Sequence, residues 1–115
     1  VQNKLKVERP GIQQLYIFVK SGYQHMKIFL EDILFIEGVR DYRKINCRDN
    51  KKTMTSETFT TLELKLPGTR FCRVHKSFLI SLDKIESVEK DRLKIQNTLI
   101  PISEMYRTDF YNLIK

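Results

Sequence analysis

The sequence predicts a mainly β domain of antiparallel strands with one short internal helix and a C-terminal helix. Three observations carry this. Apolar and polar residues alternate with period two through most of the chain, the breaks between runs are turn-sized, and only two stretches switch to spacings of three and four. At 115 residues the chain has volume for one core rather than two. No internal repeat or low-complexity segment divides it.

Taken in order, LYIFVKS at 15–21, QHMKIFL at 24–30, ILFIEG at 33–38 and YRKINCR at 42–48 read as strands. Ser21-Gly22 supplies the first turn, and Asp49-Asn50-Lys51-Lys52 is a polar hairpin loop into the short strand KTMTS. Phe59, Leu62 and Leu66 fall at helical spacing, so a helix is expected between Ser56 and Leu66, with Ser56 able to cap it and Pro67-Gly68 closing it. Strand patterns resume with FCRVH at 71–75, FLISL at 78–82, IESVEKD at 85–91, RLKIQ at 92–96 and LIPI at 99–102, the last two joined by Asn97-Thr98. A final helix starts at the capping residue Ser103 and places Tyr106, Phe110, Leu113 and Ile114 on one packed face.

Composition narrows the function classes. Two cysteines, Cys47 and Cys72, are too few for a disulfide framework, so a reducing cytosol is the expected compartment. No apolar run reaches the roughly 20 residues a membrane-spanning helix needs, and no signal-peptide layout is present. The first residue is Val1, and residues 1–14, beginning VQNKLKVERPG, are read as a linker from an upstream domain, with the folded domain at 15–115.

Catalysis needs a nucleophile with a base, paired carboxylates or a metal set, and none stands out. His25 and His75 lie on separate strands, and Cys72 with His75 offers one ligand pair without a second at zinc-finger spacing. Both cysteines read as small buried residues, and His75 as a hydrogen-bonding group within the fold or toward a phosphate. With four glycines there is no Gly-rich phosphate loop. The expectation is a protein that is not an enzyme and carries neither metal nor cofactor.

Charge points elsewhere. Twenty-one basic residues against fourteen acidic ones give a formal net charge of +7, which suits a polyanionic partner. The cations gather at strand ends: Arg40, Arg43 and Lys44 after the third strand, Lys51 and Lys52 in the hairpin, and Arg70, Arg73 and Lys76 around the sixth. Spacing alone leaves two readings open, a stripe facing a nucleic-acid groove or ordinary solvated loop charges.

The segment FCRVHKSFLISLDKIESVE resembles the signature of LytTR domains, in which Phe-x-Arg-x-His-[Arg/Lys]-Ser-[Tyr/Phe] precedes a strand and a hydrophobic-x-x-Ile turn. Three further blocks are similar in order: ILFIEGVRDYRKI to the family's early hairpin, SETFTTLELKLPGTRF to its helix and following loop, and LIPISEMYRTDFYNLI to its Ile-Pro-[Val/Ile]-Ser-x-x-Tyr end. The likeness runs from Leu15 to Lys115. It implies an elongated β fold that reads double-stranded DNA with loops in successive major grooves, as the output domain of a bacterial two-component response regulator. A receiver domain upstream, a sensor histidine kinase acting on it, and dimerisation on promoter repeats are implied in turn.

Phosphate contacts set position and affinity, whereas contacts with base edges set specificity. By the resemblance, base contacts fall to the Arg40-Asp41-Tyr42-Arg43 loop, to Lys76, and to Ser103 and Glu104 after Pro101. Lys44, Arg73, His75, Ser77 and Arg107 are the expected phosphate contacts. Two positions depart from the family pattern. Lys76 stands where arginine or asparagine is common, giving a point charge in place of a bidentate fork. Glu104 stands where many relatives carry a basic residue, and a carboxylate accepts from a cytosine amine but repels phosphate. Tyr106 is expected to pack rather than stack on a base. The alternative is a basic β module for RNA or a protein partner, although no RNP-like motif is present.

Overall fold

A computed structural model describes residues 14–115. The expected linker at 1–14 therefore lies outside the described residues except for Gln14, whose carboxamide donates to the Lys65 carbonyl at 2.8 Å. Strands and two helices appear as the sequence predicts, and the strands form three antiparallel sheets.

A hairpin comes first, β1 (Tyr16–Ser21) and β2 (Gln24–Phe29), turned at Gly22 and Tyr23 with Gly22 at φ +62°. The central sheet has β3 (Ile33–Val39), β4 (Tyr42–Cys47), β5 (Lys52–Thr55), β6 (Phe71–His75) and β7 (Phe78–Ser81) in the order β5-β4-β3-β7-β6. The third sheet is β8 (Ser87–Glu89), β9 (Arg92–Ile95) and β10 (Thr98–Pro101), in the order β10-β9-β8. Helix α1 (Phe59–Lys65) connects β5 to β6, and α2 (Glu104–Ile114) ends the chain.

Apolar residues on both faces of β3 explain the layering, because a strand in the middle of a sandwich needs no polar side. A register shift between Ile33 and Phe35 turns Ile33 and Ile36 to one core and Leu34 and Phe35 to the other. Two cores replace the one the sequence predicts, because the central sheet is packed on both faces; the first joins β1 and β2 (Ile17, Val19, Ile28) and α1 (Phe59, Leu62) to that sheet. The second joins the third sheet (Leu93, Ile95, Ile100) and Phe110 of α2. Each fully buried Leu, Ile or Phe contributes about 1.5–3 kcal/mol, so each core is large enough to hold its layer.

Local details differ from the sequence expectation. Thr58, not Ser56, caps α1, its hydroxyl accepting from Thr61 N at 3.1 Å. The strand expected over 85–91 shrinks to Ser87–Glu89, since a 3-10 turn at Leu82–Lys84 delays its start. The β9–β10 turn falls on Gln96 and Asn97, with Gln96 in the left-handed region at φ +53°, one residue earlier than the Asn97-Thr98 expectation. On α2 only Phe110 is buried, while Leu113 and Ile114 are 47% and 39% exposed because the helix outruns the sheet beneath it.

The hairpin is pinned to α1 by one carboxylate. Glu57 accepts from the Lys20 backbone N–H at 2.7 Å and pairs with Lys65 Nζ at 2.7 Å, while Lys65 also donates to the Phe18 carbonyl at 2.8 Å. Burial opposes the charge on Glu57, but Lys65 and the Lys20 N–H together outweigh it and hold the carboxyl below its ordinary 4.5. A carboxyl whose pKa is lower folded than unfolded stabilises the fold above the unfolded value and loses that contribution as pH falls through the folded one. Glu57→Gln is therefore expected to cost about 1–3 kcal/mol at pH 7 and to remove part of the stability loss below about pH 4.5, read by urea unfolding across that range.

Candidate nucleic-acid interface

Antiparallel pairing of β3 with both neighbours brings two turns to one end of the central sheet. Val39 pairs with Tyr42 across the β3–β4 turn, and Glu37 pairs with Phe78 beside the β6–β7 turn. The Gly38 N–H donates to the Ser77 carbonyl at 2.9 Å, tying the turns Arg40–Asp41 and Lys76–Ser77 together. The Ser103 N–H donates to the Val74 carbonyl at 2.8 Å, so the start of α2 joins the same end. Three segments the sequence singles out, spread between Arg40 and Glu104, thus converge.

Within this end, Arg40, Asp41, Tyr42, Lys76 and Glu104 are exposed. Ser103 is half-buried and stands at the N-cap of α2, but its hydroxyl makes no capping bond, contrary to the capping role the sequence predicts. Arg40 sits in the left-handed region at φ +58°, where a side chain bearing a Cβ is strained. The His75 ring accepts the Ser77 N–H on Nδ1 at 3.0 Å, which shapes the Lys76 turn and leaves Nε2 as the other hydrogen-bonding atom. Lys44 lies 3.8 Å from Glu37 across the β3–β4 pair. Arg107 reaches back to the Ile102 carbonyl at 3.5 Å.

Two of the expected contacts turn inward. Arg73 donates from Nε to the His75 carbonyl at 3.0 Å, from Nη2 to the Lys76 carbonyl, and from Nη1 to Glu63 at 3.1 Å. Arg43 donates from Nη1 to the Tyr42 carbonyl at 2.9 Å, and its half-buried guanidinium lies 5.3 Å from the Phe59 ring centre. Sequence marks both as cations at strand ends but does not say where the ends of their side chains go. Tyr106, expected to pack, is half-buried with its ring 5.6 Å from Arg73 Cζ.

Ion pairs occur at both ends of the sheet, Lys44–Glu37 and Arg73–Glu63 being those of the near end. At the far end Arg48 pairs with Asp32 at 2.6 Å, Arg70 with Asp83 at 3.3 Å and with Glu31 at 3.6 Å, and Lys84 with Glu31 at 3.7 Å. Among the described residues, no carboxylate pairs with Arg40, Arg43, Lys76 or Arg107 at the near end. Lys51 and Lys52, part of the same sequence cluster, are exposed at the far end and do not join this group. Unpaired cations gathered on one surface leave a positive field there that the neighbouring salt bridges do not cancel.

Cys47 and Cys72 are buried free thiols on opposite faces of the central sheet, and burial pushes both up to about 11, far from thiolate chemistry at neutral pH. His25 lies on β2, away from His75 on β6, and among the described residues no three metal-ligating side chains converge.

The profile of the LytTr DNA-binding domain matches residues 23–115. The chain belongs to the LytTR DNA-binding domain family. Two relatives named "Sensory transduction protein LytT", from Bacillus cereus and Bacillus anthracis, are each 27% identical over 93 residues. The match covers 75% of this chain but only 37% of each relative, so this LytTR domain spans little more than a third of their length. A solved LytTr DNA-binding domain from Bacillus cereus superposes with a TM-score of 0.76 at 18% identity, covering 89% of this chain and 98% of that one, which shows the shared fold.

Sequence reasoning passes over Phe59, Glu63 and Gly38, all of which build this end of the LytTR domain. Phe59 reads there only as one apolar residue of a helix. The left-handed backbone at Arg40 yields a direct test of stability. Asparagine adopts that conformation more readily than arginine, so Arg40→Asn is expected to leave thermal stability unchanged or raise it by up to about 1 kcal/mol. A clear loss in a melting curve would mean that the arginine side chain itself holds the turn.

Proposed function

We propose that this LytTR domain binds double-stranded DNA sequence-specifically, as the output domain of a two-component response regulator that controls transcription. The turn Arg40–Asp41, the turn Lys76–Ser77 and the first turn of α2 enter successive major grooves. The observation that carries this reading is the convergence of three exposed segments on one positively charged end, fixed by the Gly38–Ser77 and Ser103–Val74 backbone bonds. A duplex offers one negative charge per about 1.7 Å of axis, so a line of unpaired cations at such an end meets several phosphates at once.

Within that reading Arg40, Tyr42, Lys76, Ser103 and Glu104 meet base edges, and Lys44, His75, Ser77 and Arg107 meet phosphates. Lys76 donates to acceptors on guanine or thymine, and Glu104 accepts from a cytosine amine or stands clear of the backbone. The relatives' greater length fits an upstream receiver domain that a sensor histidine kinase phosphorylates, with two copies assembled on promoter repeats. Chromosomal DNA as the ligand places the protein in the cytoplasm. Neither a catalytic step nor a cofactor enters this reading.

One observation favours a second reading, single-stranded nucleic acid stacked on the exposed rings of Tyr16, Phe18 and Phe29 in the β1–β2 hairpin. The rings argue against it. Tyr16 meets Phe18 and Phe29 edge-on, at 88° and 78°, and Lys27 Nζ covers the Tyr16 face at 4.3 Å, so no row of parallel open faces is left for bases.

Selection of bound sequences from random duplex DNA, followed by titration of the selected duplex at several salt concentrations, tests the proposal. The expected result is one enriched motif and a log affinity that falls by several units per log unit of salt. Absence of an enriched motif, or a slope near zero, contradicts it. Lys76→Ala is expected to relax preference at one base position by about 1–3 kcal/mol; equal losses on selected and random duplexes would reduce Lys76 to a phosphate contact.

A further inference from the structure

Two arginines from two different strands, each next to a turn, lie on one aromatic ring. Arg43 Cζ is 5.3 Å and Arg73 Cζ is 4.2 Å from the centre of Phe59, both within the range at which a guanidinium is held by a ring. Each arginine also grips the carbonyls of its own turn. Arg43 donates to Arg40 O at 3.4 Å and to Tyr42 O at 2.9 Å, and Arg73 donates to His75 O at 3.0 Å and to Lys76 O. Beneath them Gly38 lacks the Cβ that would stand 3.4 Å from Phe59 Cε2 and 3.8 Å from the Ser77 Cα, so strand, ring and second turn approach closely.

We infer that Phe59 is a shared platform that fixes the two reading turns relative to each other, and that Arg43 and Arg73 are positioning residues rather than contacts with DNA. Glu63 of α1 completes the device by holding Arg73 Nη1 at 3.1 Å. The inference rests on the reading above and names what sets its specificity. Base readout requires donors held to a fraction of an ångström, whereas phosphate attraction tolerates looser placement. Arg73 commits three of its five N–H donors to internal acceptors and has a ring against its face, and Arg43, half-buried against the same ring, commits Nη1 to two carbonyls. Arg40 and Lys76, whose backbone carbonyls those guanidinium groups hold, remain exposed at the tips.

The test compares affinities of the full chain for its selected duplex and for a random duplex, with variants Arg73→Lys, Glu63→Gln and Glu31→Gln. Arg73→Lys keeps the charge but lacks the fork that reaches His75 O, Lys76 O and Glu63 together. It is expected to lower the specific-to-random ratio about tenfold, the scale of one lost base contact, while the salt slope stays within about half a unit of the parent. Glu63→Gln, on a partly exposed side chain outside both cores, is expected to lower the ratio in the same direction. Glu31→Gln removes an equal charge at the far end and is expected to leave the ratio unchanged.

An Arg73→Lys variant that keeps the parental ratio, or one that loses about one unit of salt slope with no change in ratio, overturns the inference and makes Arg73 a phosphate contact. Equal effects of Glu63→Gln and Glu31→Gln overturn it as well, since that pattern reports bulk charge alone. A parent that does not discriminate between the two duplexes instead refutes the sequence-specific reading on which the inference stands.

Discussion

Everything at the candidate interface depends on the pairing of β3 with strands on both of its edges. Because β4 and β7 both run antiparallel to it, the turn leaving β3 and the turn entering β7 emerge at the same end of the sheet. A strand in that position has no solvent face, which is why β3 is apolar on both sides and why a register shift near its start divides its side chains between two cores. The sheet's two faces are then occupied, one by the β1–β2 hairpin and α1, the other by the third sheet and α2. Its near end is left to carry function on turns held by a rigid scaffold.

Charge is placed on this scaffold unevenly. Asp32, Asp83 and Glu31 pair with cations at the far end, and Glu37 and Glu63 pair with Lys44 and Arg73 at the near end, where Arg40, Arg43, Lys76 and Arg107 have no carboxylate partner among the described residues. Paired charges largely cancel in water and the unpaired ones do not. A positive surface of this kind draws any polyanion. In the proposed reading, discrimination among sequences comes from geometry set by an aromatic ring and two guanidinium groups that the net charge of +7 does not reveal.

Much of the architecture was legible in the sequence because period-two alternation survives wherever one side of a strand is buried. The hairpin β1–β2 and the strands β3, β4, β6 and β7 follow from it, both helices follow from spacings of three and four, and the Arg-x-His-Lys-Ser run carries the family. Other features follow from tertiary contacts that no local pattern encodes. Ser56 and Thr58 are equivalent caps by chemistry, and only the backbone course after β5 selects Thr58. Leu113 and Ile114 continue an apolar helical face past the end of the surface it packs on. Arg43 and Arg73 look like Arg40 in a string of letters, yet the ring of Phe59, sixteen and fourteen residues away from them in sequence, decides that their heads face inward. The three-sheet division is similarly nonlocal, since alternation marks strands without saying which of them pair.

The placement of the reading end is the claim that most needs a direct measurement. Titrating the isotopically labelled chain with a selected duplex, and following backbone amide resonances, maps the contact surface without mutation. With the reading end placed as proposed, the large shifts are expected at residues 38–43, 75–78 and 102–107, with the β1–β2 hairpin and the Arg48–Lys52 turn nearly unmoved. Shifts concentrated on that hairpin or on the Arg48–Lys52 turn would put the DNA at another surface and contradict it.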